Sequence, residues 1–458
     1  MKKLITILTL AFVASCTQPQ EQVSSTATLI SDVNIIDVRT GTITEKQQVV
    51  IDSGKIKAVS TTVDNPNGYT TKIDGQGKYL IPGLGEMHAH IPQPPATAEH
   101  IEETLFLYLS NGITTIRGML GHPSHLSLRE KADSGEILSP RIYTSSPSMN
   151  GNSVTSEQEA IDKVTAYQKA GYDFLKVHPG IQRPVFDQMV TTAKEVGIPY
   201  AGHVPVDVGI RHAMESGYAA VDHIDGFLEG LVPESENVDP NTNGFFGYAF
   251  TPLAHVNTID DLVTLSKKHK IWIVPTQSLY ERWFAPVSAD ELLNDPEMKY
   301  MPASTLANWK QRKGQFTDDD PNFNKPQWEQ FNTIRRKLLK ALQDGGHGML
   351  LGSDAPQLFN VPGFSIHHEI QGMRDAGLTP LQILQSGTIN PAIFFDSTND
   401  FGSIAPGLTA DLVLLDANPL DDIKNLKTIS GVMRQGQWLS KAAIDEKLAA
   451  IAARRAKR

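Results

Sequence analysis

The chain has 458 residues, of which 40% are hydrophobic and 20% charged, the make-up of a soluble globular protein with room for one large domain and a smaller companion. A formal net charge of −10 argues against nucleic acid as a partner, and a single cysteine excludes an intramolecular disulfide.

The first sixteen residues read as an export signal rather than fold. Lys2 and Lys3 give a positive start. The apolar run at 4–13 is too short to span a bilayer as a helix. It ends in Val13-Ala14-Ser15-Cys16, which resembles the bacterial lipoprotein signal. That resemblance implies cleavage before Cys16, lipidation of its thiol, and an exported protein held to the membrane on the periplasmic side of the cell envelope. Thr17 in place of an aspartate favours the outer membrane. The alternative is an ordinary cleaved signal with an incidental cysteine. Several acyl chains on one residue anchor stably where a single chain does not. Residues 17–27 are polar and aperiodic, as a tether would be.

Residues 28–79 alternate apolar and polar in short runs broken by turn residues such as Asp52-Ser53-Gly54, which predicts strands. The same alternation returns in 396–440, at 410–415 and 431–438. The two stretches are expected to pair into one small β-sandwich, discontinuous in sequence. Between them, residues 80–395 repeat a strand-then-helix rhythm that predicts parallel strands with crossover helices. Strand ends are expected at 80–90, 113–117, 141–145, 174–178, 198–203, 220–223, 272–276 and 349–354. The fold class is therefore α/β, a (β/α)8 TIM barrel. Helices are expected over 156–169, 184–196 and 328–342, with stops at Gly197, Gly345 and Gly346. The stretches 225–270 and 277–343 exceed what crossovers need, and serve either as lids over the barrel mouth or as peripheral packing. The tail, 441–458, reads as an exposed amphipathic helix.

Glu86-Met87-His88-Ala89-His90 closes the first barrel strand. Residues two apart on a strand share a face, so His88 and His90 present two imidazoles side by side, half of a site for zinc or a similar metal. Lys176, His203, His223 and Asp354 fall at the ends of the fourth, fifth, sixth and eighth strands. Six such side chains at matching ends of parallel strands point to a metal centre at the barrel mouth. The same alternation brings Arg117 and Tyr143, on the second and third strands, towards the mouth. It puts His178 on the face of Lys176, while His122 and His125 lie on the next loop. These are candidate substrate contacts, each with a structural alternative; an arginine there could pair bidentately with a substrate carboxylate. His367-His368-Glu369 looks like a metal motif but lies past the eighth strand without a matched partner set, and is read as loop and helix start.

Other segments accompany these residues. Ile81-Pro82-Gly83-Leu84 precedes the histidine pair, Ser386-Gly387-Thr388-Ile389-Asn390-Pro391-Ala392 follows the barrel, and Gly402-Ser403-Ile404-Ala405-Pro406-Gly407-Leu408-Thr409-Ala410-Asp411-Leu412 comes next. Together, from about residue 31 to residue 439, the chain resembles the amidohydrolase superfamily of metal-dependent hydrolases. Within it the chain is similar to the imidazolonepropionase-like and Xaa-Pro or Xaa-Arg dipeptidase-like branch with a carboxylated lysine. The resemblance implies two divalent ions, zinc being favoured. His88, His90 and Asp354 would hold one, His203 and His223 the second, and carboxylated Lys176 would bridge them. An ammonium has no lone pair and repels a dication. The alternative leaves Lys176 as a rim cation beside a single metal. No glutamate follows His203, whose successors are Val204, Pro205 and Val206, which argues against the deaminases. The resemblance further implies hydrolysis of a C–N amide bond in a small molecule, a dipeptide or N-acyl amino acid. A hydroxide bridging the ions would attack, with Asp354 as proton shuttle. Lactones, carbamates, organophosphates and cyclic amides are alternative substrates. A non-catalytic lipoprotein that binds metal or ligand is the alternative from another class. A homo-oligomer is left open.

Overall fold

The structure is a computed structural model that describes residues 27–456; Cys16, the signal segment and all of the tether but Ala27 lie outside the described residues. The alternating segments at the two ends of the chain do form strands, and the strands share one sheet. Thr28–Ile36 pairs antiparallel with Ile43–Asp52, which pairs with Lys55–Ser60. Its other side runs parallel to Thr71–Asp74 and Tyr79–Pro82. Tyr79–Pro82 then takes Leu412–Leu415 antiparallel, with Val413 opposite Ile81. Ile429–Arg434 and Gln437–Ser440 complete the ladder. The expected two-layer sandwich is thus a single eight-stranded sheet. Tyr79–Pro82 offers an edge to each terminal segment, so they extend one ladder instead of stacking. The sheet curls over its own core, which includes Ile30, Val49, Ile56, Leu80, Leu412 and Met433.

A second sheet holds eight parallel strands hydrogen-bonded in chain order: β1 (Leu84–Ala89), β2 (Ile113–Gly118), β3 (Arg141–Met149), β4 (Phe174–Val177), β5 (Tyr200–Gly202), β6 (Ala220–Asp222), β7 (Trp272–Val274) and β8 (Gly348–Met349). It curls in the manner of a TIM barrel. The segment after β8 returns to β1, where Met87 N–H donates to Leu351 O at 2.8 Å and Asp354 N–H to His88 O at 2.9 Å. The expected helices are Glu157–Ala170, Arg183–Val196 and Lys325–Gly345. Gly197 and Gly346 cap the last two.

The two insertions interlock. The Phe245 ring lies 4.9 Å from Trp283, 4.5 Å from Phe284 and 5.7 Å from Phe316. Lys313 is wholly buried and donates to the carbonyls of Trp283 at 2.7 Å and Ala285 at 2.8 Å, which fixes the turn between them. The C-terminal helix, Lys441–Arg455, is amphipathic and largely exposed as expected, and docks through one stripe. Ile444, Ile451 and Arg455 are buried, and both Arg454 and Arg455 pair with Glu103 of helix Ala98–Ser110. An isolated helix of this length is marginal in water, so its apolar stripe finds a partner. Among the described residues no helix is long and apolar enough to cross a membrane.

Candidate metal centre

The strand ends converge as side chains. His88 lies in β1 and His90 one residue past it, and both face Asp354 Oδ1, at 3.4 Å and 2.6 Å from Nε2. Ligand atoms of these three residues all lie within 4.8 Å of one another. His223, just after β6, has its ring 4.5 Å from His88 and 4.5 Å from His203, which follows β5. Lys176, on β4, is wholly buried, with Nζ 3.8 Å from Asp222 Oδ2.

The ring nitrogens are held from behind. His88 Nδ1 is 3.2 Å from Asp222 Oδ2, His203 Nδ1 is 3.1 Å from Asp225 Oδ2, and His223 Nδ1 is 2.8 Å from Thr276 Oγ1. At His203 and His223 a hydrogen-bond partner on Nδ1 leaves Nε2 as the ligating atom, while at His88 the Asp222 carboxylate acts through its nearby charge. Burial drives all three imidazoles well below the usual histidine range, so they are neutral and keep a lone pair. Burial also pushes the Lys176 ammonium down to about 8, and Nζ has no hydrogen-bond partner among the described residues. Neutral imidazoles and a carboxylate form a donor set that fits divalent metal, with the buried Lys176 amine beside it.

The backbone is strained where it aims these groups. His223 and Asp354 have φ of 66° and 64°, left-handed values that cost about 1–3 kcal/mol each outside glycine. Glu86 ties β1 to the Asp354 loop, accepting from Ser353 N–H at 2.7 Å and Ser353 Oγ at 2.6 Å. Burial pushes its carboxyl up to about 8.

The candidate substrate contacts fare differently. Arg117 is wholly buried, donating to Asp222 Oδ1 at 2.5 Å and to Met87 O at 2.6 Å, and its guanidinium is flanked by the Phe174 and Phe394 rings. Its charge offsets Asp222 inside the barrel, so the expected reach to substrate is corrected. Tyr143 is corrected too. It is the third residue of a strand that runs on to Met149, its ring stacks on Phe395 at 3.5 Å, and its hydroxyl meets Ser397 Oγ at 3.5 Å. His122 caps helix Pro123–Asp133, where its Nδ1 accepts from Ser124 N–H. His125 is buried, with its ring 6.0 Å from His122. His178 does lie at the centre, stacked on His203 at 5.0 Å with Nδ1 2.8 Å from Ser148 Oγ.

Sequence reasoning passed over Asp222, Asp225, Thr276 and Phe246. The two aspartates flank His223 within Asp222-His223-Ile224-Asp225, a readable signal. Thr276 and Phe246 carried none. His368 does have partners, since Asp295 and Glu297 arrive from the second insertion, with ligand atoms within 4.8 Å. That cluster neutralises itself. Arg282 donates to Asp295 at 2.6 Å, and His368 Nε2 meets Glu297 at 2.7 Å, fastening the insertion to helix Ser365–Asp375.

Known proteins share this architecture. The sequence matches the Amidohydrolase family over residues 79–439. Ochratoxinase from Aspergillus niger is 22% identical over 422 residues, covering 82% of this chain and 78% of its own length. Dihydroorotase from Ligilactobacillus salivarius is 24% identical over 425 residues, covering 86% and 90%. Among solved structures, a bottromycin amidohydrolase superposes with a TM-score of 0.70 at 22% identity over 93% of this chain and 90% of its own. A Xaa-Pro dipeptidase superposes at 0.65 with 19% identity over 91% and 100%. The structural likenesses concern the fold, while the family match spans most of the chain and takes in every residue of the metal centre. This chain belongs to the amidohydrolase family and is a hydrolase.

Proposed function

We propose that the protein is a two-metal hydrolase that cleaves the C–N amide bond of a dipeptide or an N-acyl amino acid. The observation that carries this reading is the gathering of four imidazoles and the Asp354 carboxylate beside the buried, unpartnered amine of Lys176. His88, His90 and Asp354 would hold one zinc ion, His203 and His223 the other, and Lys176, carboxylated by carbon dioxide, would bridge them. Burial raises the share of neutral amine, the form that adds to carbon dioxide with loss of a proton, and the resulting carboxylate replaces a buried cation. When bound, such ions polarise the scissile carbonyl and lower the pKa of an attacking water from 15.7 to about 7.

Asp354 accepts the proton of that water and returns it to the leaving nitrogen, which departs poorly unless protonated. Its position suits the role, with one oxygen on His90 and the other 4.0 Å from His223. Asp222, Asp225 and Thr276 keep three imidazoles aimed. His178, stacked on His203, is the side chain best placed to donate to the substrate carbonyl oxygen. The N-terminal segment supports an exported enzyme anchored through Cys16, favouring the outer membrane; Cys16→Ser should move it from the membrane fraction to the soluble one.

The test is a panel of dipeptides, N-acyl amino acids, lactones, carbamates and aryl phosphates assayed with zinc- or manganese-loaded protein. Amide cleavage, close to two metals per chain, and reconstitution that improves with added bicarbonate are expected. Cleavage confined to esters or phosphates would replace the substrate assignment, and purified protein without stoichiometric metal would end the reading.

A further inference from the structure

The first insertion delivers one aromatic ring to the metal centre. Phe246 lies 5.7 Å from the His203 ring and 5.4 Å from the His223 ring, centroid to centroid. The residue is half-buried and holds φ at 50°, a left-handed value that a phenylalanine keeps only where its surroundings impose it. The surroundings are visible. Asn243 Nδ2 donates to Glu229 Oε1 at 2.7 Å, pinning the chain just before Phe246. Just after it, Gly247 has φ of 80° and passes so close to Glu229 that a Cβ there would stand 2.9 Å from the carboxyl carbon. Residues 243–247 therefore form a short strap fastened over Glu229. Behind the strap, Tyr280 meets the Phe246 ring edge-on at 5.3 Å, and Phe245 is locked into the cluster with Trp283 and Phe284.

A carbonyl brought to His203 and His223 must bring its neighbouring group alongside this ring. Phe245 and Tyr280 continue the same aromatic wall, and Glu229, beneath the strap, spends one carboxylate oxygen on Asn243. A flat apolar group gains contact there, whereas a charged one loses water without finding a partner. We infer that Phe246 is the specificity-determining wall of the substrate site, and that the substrate carries an aromatic or similarly flat apolar group beside the scissile carbonyl. The inference rests on the reading of the site as a metal-dependent amide hydrolase and narrows its substrate class.

Two small metal-directed probes, acetohydroxamate and benzohydroxamate, test the inference without turnover. They share the same chelating head and differ in the group beside the carbonyl. Binding is measured by calorimetry on zinc-loaded protein carrying Phe246, Phe246→Ala or Phe246→Leu, with zinc content checked for each. The parent protein should prefer the benzoyl probe by at least about tenfold, the scale on which apolar pockets discriminate. Phe246→Ala should reduce that preference about tenfold and leave acetohydroxamate within about twofold, while Phe246→Leu restores part of it. A preference that survives unchanged in Phe246→Ala overturns the inference and leaves the metal centre standing. Failure of both probes to bind zinc-loaded parent protein overturns the metal-centre reading, and this inference with it.

Discussion

Asp222→Asn should separate two roles that the structure gives to one carboxylate. Asp222 is wholly buried; one oxygen takes the Arg117 guanidinium at 2.5 Å and the other faces His88 Nδ1 at 3.2 Å. Removing its charge leaves Arg117 buried and uncompensated, which costs about 3–5 kcal/mol of stability. It also deprives a metal-facing imidazole of its orienting carboxylate, worth about 10–100-fold in metal affinity. Urea denaturation of the metal-free protein reads the first effect, and zinc competition against a chromophoric chelator reads the second. The double variant Arg117→Met/Asp222→Asn then divides them. With both charges gone the stability should largely return, because a buried ion pair exchanged for neutral groups is close to neutral overall. The zinc affinity should stay low, because His88 still lacks its partner. Zinc binding at parental strength in Asp222→Asn would refute the orienting role. A double variant no more stable than the single one would refute the account of Arg117.

Four further outcomes are expected. Asp354→Asn should keep most of its metal by elemental analysis and lose about 10²–10⁴-fold in kcat, the range for a displaced general acid–base. Gly202→Ala should destabilise the protein and lower its zinc content, because at φ of 129° a Cβ would stand 2.4 Å from Val177 O and 3.1 Å from Lys176 Cδ; parental melting and metal content would count against this tight fit. Burial pushes the Glu369 carboxyl from its ordinary 4.5 to about 7, so the stability it allows is complete below pH 4.5 and lost as pH rises through about 7. Glu369→Gln should therefore flatten the fall in urea midpoint between pH 5 and pH 8, an effect of about 3 kcal/mol at most. Ending the chain at Ser440 should lower the melting temperature, since Glu103, 3% exposed, would lose both Arg454 and Arg455.

The candidate ligands stood out because each sits at the end of a short apolar strand, where local pattern and chemistry coincide. His88 and His90 needed only the two-residue period of a strand, and the recurrence at Lys176, His203, His223 and Asp354 supplied the rest. What the sequence withheld depends on distance. Alternation predicted strands at both ends of the chain, but a sandwich and a single sheet differ only in whether Val413 meets Ile81 in a ladder or across a layer. Arg117 was expected at the barrel mouth, because periodicity does not say that Asp222, 105 residues on, claims its charge. Tyr143 was misjudged because β3 continues four residues past Ser145, so a position near its start was taken for one near its end. Phe246 lies in irregular backbone, where no period marks which side chain turns towards the centre.

The shared sheet has a consequence for how the chain is completed. Tyr79–Pro82 has Thr28–Ile36 on one side from early in synthesis, while the segment for its other side, Leu412–Leu415, is made more than three hundred residues later. Lys55 likewise waits for Asp400, 345 positions on. Until then the N-terminal ladder carries a bare apolar edge, the kind of surface that invites pairing with another chain. Maturation thus waits for Leu412–Leu415, and termination before that strand should give aggregates rather than a functional barrel lacking a minor appendage.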